Sequence, residues 1–425
     1  MKRIAIVGFG GAGYCAAKAA REYDPEAVID VYSDTDVGPY NPMLTTYFVK
    51  GDITYDNMFP FGTLGDIADH LKLNVYPETP VKRLNAARKS LEFNDGSEAS
   101  YDAILLSTGA SAVVPPIPGI DLPGVFKMRT YRDALELKEM LSSGKIRSGL
   151  VIGASWVGIK IVEDLYEMGI PCTLVDGADR IFPVASFDET SRKIEDDLAA
   201  SGIKLSFGQM LSCIEREEDG RLTAVMQSGK RFTADTVAVC IGVRPNSVLA
   251  REAGIAVNRG VLVDEKMQTS APGIYAAGDC CEAPEVQSGE CRNIGVWMNA
   301  KRQGAVAGAN LVGGSKENAN NILLNLAHYM GRDFVSIGDI RTCGPDDDVY
   351  EYDSPDMYIR AVKGDGKIRC INLLSMVERS GIIKHALLRA FGGGLSGLNV
   401  RASCLLSEKG IPNDFITFVG GTIID

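Results

Sequence analysis

Arg3-Ile4-Ala5-Ile6-Val7-Gly8-Phe9-Gly10-Gly11-Ala12-Gly13 reads as a short buried strand running directly into Gly8-x-Gly10-x-x-Gly13, with an alanine-rich helix from Ala12 to about Glu22. Each glycine has a separate task. Gly8 permits the tight turn, Gly10 lets the backbone approach a pyrophosphate, and Gly13 lets the helix pack on the strand, so that the helix N-terminus faces the anion. The expected ligand is a dinucleotide.

Working outward, Ala27 to Ser33 reads as the second strand. Asp34 stands just beyond it and is the acid expected at a ribose hydroxyl, with Asp30 inside the strand as its rival. Gly38-Pro39-Tyr40-Asn41-Pro42-Met43-Leu44-Thr45-Thr46-Tyr47 is too rich in turn formers for a strand, and is expected to fold over the ligand. Thr63 to Leu71 reads as a helix, and Ser90 to Phe93 and Tyr101 to Thr108 read as strands. The last of these ends in Thr108-Gly109 and leaves through Pro115-Pro116-Ile117-Pro118-Gly119, which marks a boundary.

Beyond that boundary the opening design repeats. Gly149 to Ile152 is a strand, Gly153-Ala154-Ser155-Trp156-Val157-Gly158 is a G-x-S-x-x-G turn, and Ile159 to Met168 has helical apolar spacing. The next strand, Cys172 to Val175, ends in Asp176. A carboxylate there favours NAD, because it would repel the 2′-phosphate of NADP. A helix from Glu189 to Ala200, a three-stranded meander and a strand from Thr236 to Cys240 complete the second unit. Ile241-Gly242-Val243-Arg244-Pro245-Asn246 is the crossing back, and Ile274-Tyr275-Ala276-Ala277-Gly278-Asp279 delivers Gly278 and Asp279 to a strand C-terminus, where open α/β sheets bind ligands.

With 425 residues and 45% hydrophobic content, the chain has material for two or three domains. No apolar run reaches the roughly 18 residues that a membrane span needs, so a cytoplasmic location is expected. A net charge of −11 without a Lys/Arg cluster argues against nucleic acid or anionic membrane as partners. The ten cysteines show no C-x-x-C spacing, so no bound metal is expected.

Two fingerprints, Thr108-Gly109 and Gly278-Asp279 together resemble the two-dinucleotide flavoproteins, the pyridine nucleotide-disulfide oxidoreductase superfamily. The resemblance covers most of the chain. It implies an α/β fold with two Rossmann-like dinucleotide-binding domains, for FAD (1–116 with 245–314) and NAD (117–244), plus a C-terminal α+β interface domain (315–425). Carried over residue by residue, it assigns to FAD Gly8, Gly10, Gly11, Ala12, Gly13, Asp34, Pro42, Thr108, Gly109, Gly278 and Asp279. Trp297, Asn299 and Ala300 join them at the start of a helix that reaches the flavin ring; the alternative roles are core filling for Trp297 and an N-cap for Asn299. To NAD it assigns Gly153, Ser155, Trp156, Val157, Gly158, Asp176 and Gly242.

What is missing narrows the branch. Disulfide reductases carry a C-x-x-x-x-C after the second strand, and the NADH oxidase and peroxidase branch a single cysteine in that loop. Here Pro42 or Met43 stands there, and a thioether forms neither a thiolate nor the sulfenic acid cycle of cysteine. The peroxidase branch also places a histidine where Gly11 stands. Cys15, Cys280 and Cys281 read as small packing residues. Lys160 and Glu163 lie one turn apart on the second-fingerprint helix, near a position where rubredoxin reductases carry a glutamate. A lysine beside the flavin would stabilise negative charge on the reduced ring, and the alternative is a solvent-facing lysine. His328 and His385 are expected on apolar helical faces, and Asp346-Asp347-Asp348 in a solvated turn.

The resemblance therefore implies an FAD-dependent NAD(H) oxidoreductase that exchanges electrons with an iron-sulfur or rubredoxin-like protein partner. The resemblance fits rubredoxin and ferredoxin reductases, and also the flavin subunit of a complex such as phenylglyoxylate-type dehydrogenases. The assembly expected is a homodimer or one subunit of a hetero-oligomer, with the tail 392–425 against another subunit. The rival expectations are a stand-alone NADH oxidase and a non-catalytic flavin-fold scaffold.

Overall fold

The computed structural model describes residues 1–319, 321–375, 380–385, 388 and 398–421. The apolar spacing of Gly381 to Phe391 predicts an amphipathic helix, of which residues 386, 387 and 389–391 lie outside the described residues, as do 392–397 and 422–425 of the expected tail. The chain divides into two compact units, Met1–Ser111 with Val243–Asn321, and Ala112–Gly242 with Ile322–Asp425.

The first unit is built on a five-stranded parallel sheet in the order Ile274–Ala276, Ala103–Leu106, Arg3–Val7, Val28–Tyr32, Asn74–Tyr76. Ile4, Ile6, Ile104 and Leu105 are fully buried, as expected of a parallel sheet covered on both faces. The helices Gly11–Tyr23 and Trp297–Leu311 pack closely because Gly304 and Gly308 carry no side chain: a Cβ on either would run into the backbone of Ala12 or Ala16. Asp30 is a core group. Its carboxylate accepts from Arg3 Nη2 at 2.8 Å, Asn74 Nδ2 at 2.8 Å and the Tyr101 hydroxyl at 3.1 Å.

The second unit has its own five-stranded sheet, ordered Lys204–Ser206, Cys172–Val175, Gly149–Ile152, Thr236–Val239, Val125–Phe126, and an antiparallel meander of Leu211–Arg216, Leu222–Met226 and Arg231–Ala234. The segment expected as an interface domain forms a further sheet in this unit. Its antiparallel order is Leu324–Tyr329, Arg332–Gly338, Lys367–Leu374, Met357–Gly364, Asp348–Ser354. Helices Val400–Glu408 and Asn413–Phe418 contribute Leu406, Phe415 and Ile416 to its core. Two strands differ from the sequence reading. Asp348–Ser354 is an edge strand that packs only the half-buried Tyr350 and Tyr352 against the core and leaves its other face exposed, so of the acidic run Asp348 already lies in a strand. His328 sits in the strand Leu324–Tyr329 and not on a helix. Among the described residues no helix is long and apolar enough to cross a membrane.

Candidate functional site

In the first unit, parallel strands deliver Gly8, Thr108-Gly109 and Gly278-Asp279 to the C-terminal end of the sheet. Gly8 has φ +94°, and a Cβ there would collide with the Ser107 carbonyl; a Cβ on Gly13 would collide with the Gly8 carbonyl. The chain itself explains those two glycines, but not Gly10. Its φ of −81° suits any residue, and no chain atom lies within 4 Å of a Cβ built there. That open space beside a helix N-terminus, whose N-cap supplies no side-chain acceptor, fits a pyrophosphate.

Trp297 closes the turn from the side. A Cβ on Gly11 would stand 2.5 Å from the indole Cζ3. The indole stacks on Phe61 at 6.0 Å between centroids, and Phe61 stacks on Tyr14 at 4.0 Å. Gly278, with φ +82°, donates its amide to Gln303 Oε1 at 2.8 Å, and a Cβ on it would lie 3.0 Å from Ala12 Cβ and 3.5 Å from Ala300 Cβ. The fold thus brings Gly8, Gly11, Ala12, Gly13, Gly278, Trp297 and Ala300 together. Thr108 Oγ1 donates to Asn246 O at 2.7 Å, Gly109 O accepts from Asn246 N at 2.9 Å, and Asp279 O accepts from Asn293 Nδ2 at 2.9 Å.

Asn299 is not an N-cap, since Val296 holds that position. Its Nδ2 donates to Ile294 O and to Asn321 Oδ1, while its Oδ1 is buried without a hydrogen bond, a second polar atom awaiting a partner. Asp30 is engaged in the core, whereas Asp34 is exposed just past Val28–Tyr32. Gly8 N donates to Tyr32 O as Gly153 N does to Val175 O, so Ser33 holds the register position of Asp176 and Asp34 lies one residue farther on. Pro42 accepts from Thr45 Oγ1 at 2.6 Å ahead of the helix Leu44–Lys50. Sequence reasoning gave no role to Ser107, whose hydroxyl donates to Gly8 O at 2.8 Å and which only its adjacency to Thr108-Gly109 could have marked; Gln303 lies on the helix that the resemblance carries to the flavin ring, and its part in holding Gly278 comes from the fold.

In the second unit the turn is built alike. Gly153 has φ +112°, and a Cβ on Gly158 would collide with the Gly153 carbonyl. The middle residue differs: Ser155 caps the helix Trp156–Glu167, its hydroxyl accepting from Gly158 N at 3.1 Å and donating to Cys240 O at 2.7 Å. Asp176 Oδ2 accepts from Ala154 N at 2.5 Å and Oδ1 from Ala178 N at 2.7 Å, which fixes its carboxylate at the mouth of the turn. Trp156, Phe182 and Phe334 form one aromatic cluster, with the Trp156 ring 4.3 Å from Phe182 and 5.4 Å from Phe334 and the two phenyl rings 5.3 Å apart, and Val157 follows Trp156 in the first helical turn. Gly242, with φ +113° and O accepting from Val113 N at 3.0 Å, lies past the strand Thr236–Val239.

Lys160 is not solvent-facing. It is 4% exposed, its Nζ forms an ion pair with Glu163, itself 0% exposed, and it donates to His328 O at 3.2 Å. His328 Nε2 lies 4.0 Å from Glu163 Oε1, and its Nδ1 lies 2.7 Å from Asp333 Oδ1. The thiols are poorly placed for redox work. Burial pushes Cys172 and Cys240 up to about 12, and raises Cys15, Cys280 and Cys281, so the thiolate is disfavoured in each. Among the described residues no group of three or more His, Cys, Asp and Glu is placed to hold a metal ion.

The geometry meets its counterparts in known proteins. The family model described as pyridine nucleotide-disulphide oxidoreductase matches residues 2–304. A protein named NADH oxidase from Methanocaldococcus jannaschii is 32% identical over 73% of this chain and 70% of its own. The NADH-dependent phenylglyoxylate dehydrogenase subunit epsilon of Aromatoleum evansii is 30% identical over 90% of this chain and 91% of its own. The ferredoxin–NAD(+) reductase subunit of a benzene 1,2-dioxygenase system from Pseudomonas putida is 30% identical over 80% of this chain and 82% of its own. The chain belongs to the pyridine nucleotide-disulphide oxidoreductase family and is an FAD-dependent NADH oxidoreductase.

Proposed function

We propose that this chain carries electrons between NADH and a separate one-electron carrier, an iron-sulfur or rubredoxin-like protein, and that it does so as the flavin subunit of a larger redox complex. The observation that carries the reading is the closure of Gly11 by Trp297. In the family a side chain at that place and a thiol in the loop after the second strand serve peroxide and disulfide chemistry. Here position 11 has no room for a side chain, and the loop offers Met43. FAD suits the task because it takes two electrons from a nicotinamide and passes them on singly.

The residues have separate roles in this reading. The amides of the Gly8–Gly13 turn, with Gly10 left open, hold the FAD pyrophosphate, and Asp34 meets the adenosine ribose. Thr108, Gly109, Gly278, Asp279, Asn299 and Ala300 line the same site, with Pro42 from the loop. Gly153 to Gly158 and Gly242 hold NADH, and Asp176 selects it over NADPH. The names of the phenylglyoxylate dehydrogenase subunit and of the dioxygenase ferredoxin reductase subunit support a protein redox partner.

The relative named NADH oxidase favours a second reading, in which oxygen takes the electrons directly. Stopped-flow reduction of the purified chain by NADH, followed by re-oxidation with ferricyanide or with air, separates the two. The electron-carrier reading expects fast dye reduction and slow oxygen uptake, and oxygen uptake as fast as dye reduction overturns it. Purification from the native source without a tag, with identification of co-eluting subunits, tests the complex.

A further inference from the structure

The loop that follows Asp176 is held in an unusual way. Phe182 is buried with φ +50°, a left-handed conformation that a ring-bearing residue adopts only when its surroundings impose it. Ile181 O accepts from Ser186 Oγ at 3.1 Å and Ser191 Oγ at 2.9 Å, and Ile181 N donates to Glu195 Oε1 at 3.0 Å. Phe182 N donates to Ala154 O at 3.4 Å and Arg180 Nη2 to Pro183 O at 3.2 Å, and a further hold comes from the C-terminal sheet. Asn372 is fully buried between Ile371 and Leu373; its Nδ2 donates to Ala185 O at 3.0 Å and its Oδ1 accepts from Phe187 N at 2.9 Å. Ser336 Oγ, on the neighbouring strand, donates to Ala185 O at 2.6 Å.

An asparagine in the interior of an apolar strand is disfavoured, and its amide must be satisfied. Here both ends of it are used on one loop. The loop in turn fixes the second dinucleotide turn through Phe182, whose ring stacks on Trp156, the first residue of the helix behind Gly153-Ala154-Ser155. Phe334, two residues before Ser336 on the same strand, joins the same cluster, its ring 5.4 Å from that of Trp156 at 7° and 5.3 Å from that of Phe182.

We propose that Asn372 is a positioning residue of the NADH site: it binds loop 181–187 to the C-terminal sheet and so holds Asp176 and the start of the helix Trp156–Glu167 in the geometry that receives the adenosine half of NADH. The proposal rests on the reading that the second fingerprint holds NADH. It makes the C-terminal sheet part of that site, although none of its residues belongs to the fingerprint.

The test uses the full-length, FAD-loaded chain carrying Asn372→Ala, with anaerobic titration of NADH and ADP-ribose and steady-state rates with NADH and with reduced nicotinamide mononucleotide, which lacks the adenosine half. The expected result is a rise of roughly tenfold in KM for NADH and in the dissociation constant of ADP-ribose. The value of kcat stays within about twofold, kcat/KM for the mononucleotide is unchanged, and the flavin absorbance is unaltered. NADH affinity that stays at the wild-type level, or a loss shared equally by NADH and the mononucleotide, overturns the proposal. Where Asn372→Ala does not fold, Ser336→Ala removes one of the two donors to Ala185 O and is expected to move the same constants in the same direction by a smaller factor; unchanged constants overturn it. Failure of the underlying reading looks different: the Asp176→Arg variant, with Asn372 intact, then binds NADH as tightly as the wild type.

Discussion

The indole of Trp297 lies across Gly11, with Cζ3 2.5 Å and Cη2 2.7 Å from where a Cβ on residue 11 would stand. The two positions are therefore coupled: a side chain at 11 needs a different residue at 297. Gly11→Ala is expected to lower stability by about 1–3 kcal/mol through overpacking. In a Trp297→Leu background most of that cost disappears. Denaturant unfolding of the wild type, both single variants and the double variant gives the coupling energy. A cost for Gly11→Ala that is the same in both backgrounds shows that the indole does not fill this space.

Asp176 ties the second fingerprint to coenzyme choice, because its carboxylate already accepts from Ala154 N and Ala178 N at the mouth of the turn. Asp176→Arg removes both acceptors and reverses the local charge. The KM for NADH is expected to rise by roughly 10- to 100-fold, the range that loss of a charged hydrogen bond of about 1.5–3 kcal/mol implies, while the preference over NADPH shrinks. Steady-state kinetics with both coenzymes measures this, and NADH use at the wild-type level removes Asp176 from the site.

Much of this architecture was legible in the sequence because glycine and short apolar runs report backbone geometry directly. Gly8 and Gly153, at φ +94° and +112°, turn where the fingerprints predict, and the strand Cys172–Val175 is bounded as its pattern suggests. What escaped depends on contacts distant in sequence. Lys160 reads equally well as a surface residue until Glu163 and the strand Leu324–Tyr329 close over it. Asp348–Ser354 carries only the short alternation of Tyr350 and Tyr352 with acidic residues, next to an acidic run that reads as a turn, and the pairing of Asn372 with Ala185 and Phe187 leaves no local signal at all.

The Lys160–Glu163 pair is buried, so removing Lys160 takes from the Glu163 carboxylate the cation in contact with it. Lys160→Met is expected to destabilise the protein by about 3–5 kcal/mol, and Lys160→Met with Glu163→Leu to recover most of it. The single variant, where it folds, decides the lysine's chemical role. If the positive charge assists reduction of the flavin, Lys160→Met has a lower flavin midpoint potential and a slower reduction by NADH than both the wild type and the double variant, in which the two charges are removed together. An unchanged potential leaves the pair a structural feature of the second unit.

Buried thiols set the behaviour at high pH. Cys172 and Cys240 are pushed from the ordinary 9.0 up to about 12 because burial penalises the thiolate. Between those values the unfolded chain releases these protons and the folded chain retains them, so the folded state binds more protons and stability falls as pH rises. Below about 9 the two states bind equally and the thiols contribute no slope. Each thiol is expected to remove about 1.4 kcal/mol of stability per pH unit between roughly pH 9 and 12. Urea unfolding from pH 7 to 11, compared with Cys172→Ala and Cys240→Ala, measures the difference in slope. The same burial predicts that iodoacetamide at pH 7.5 modifies the exposed Cys291 and Cys404 first and leaves NADH-dependent dye reduction intact; a parallel loss of activity with the first modified thiol would restore a cysteine to the reaction.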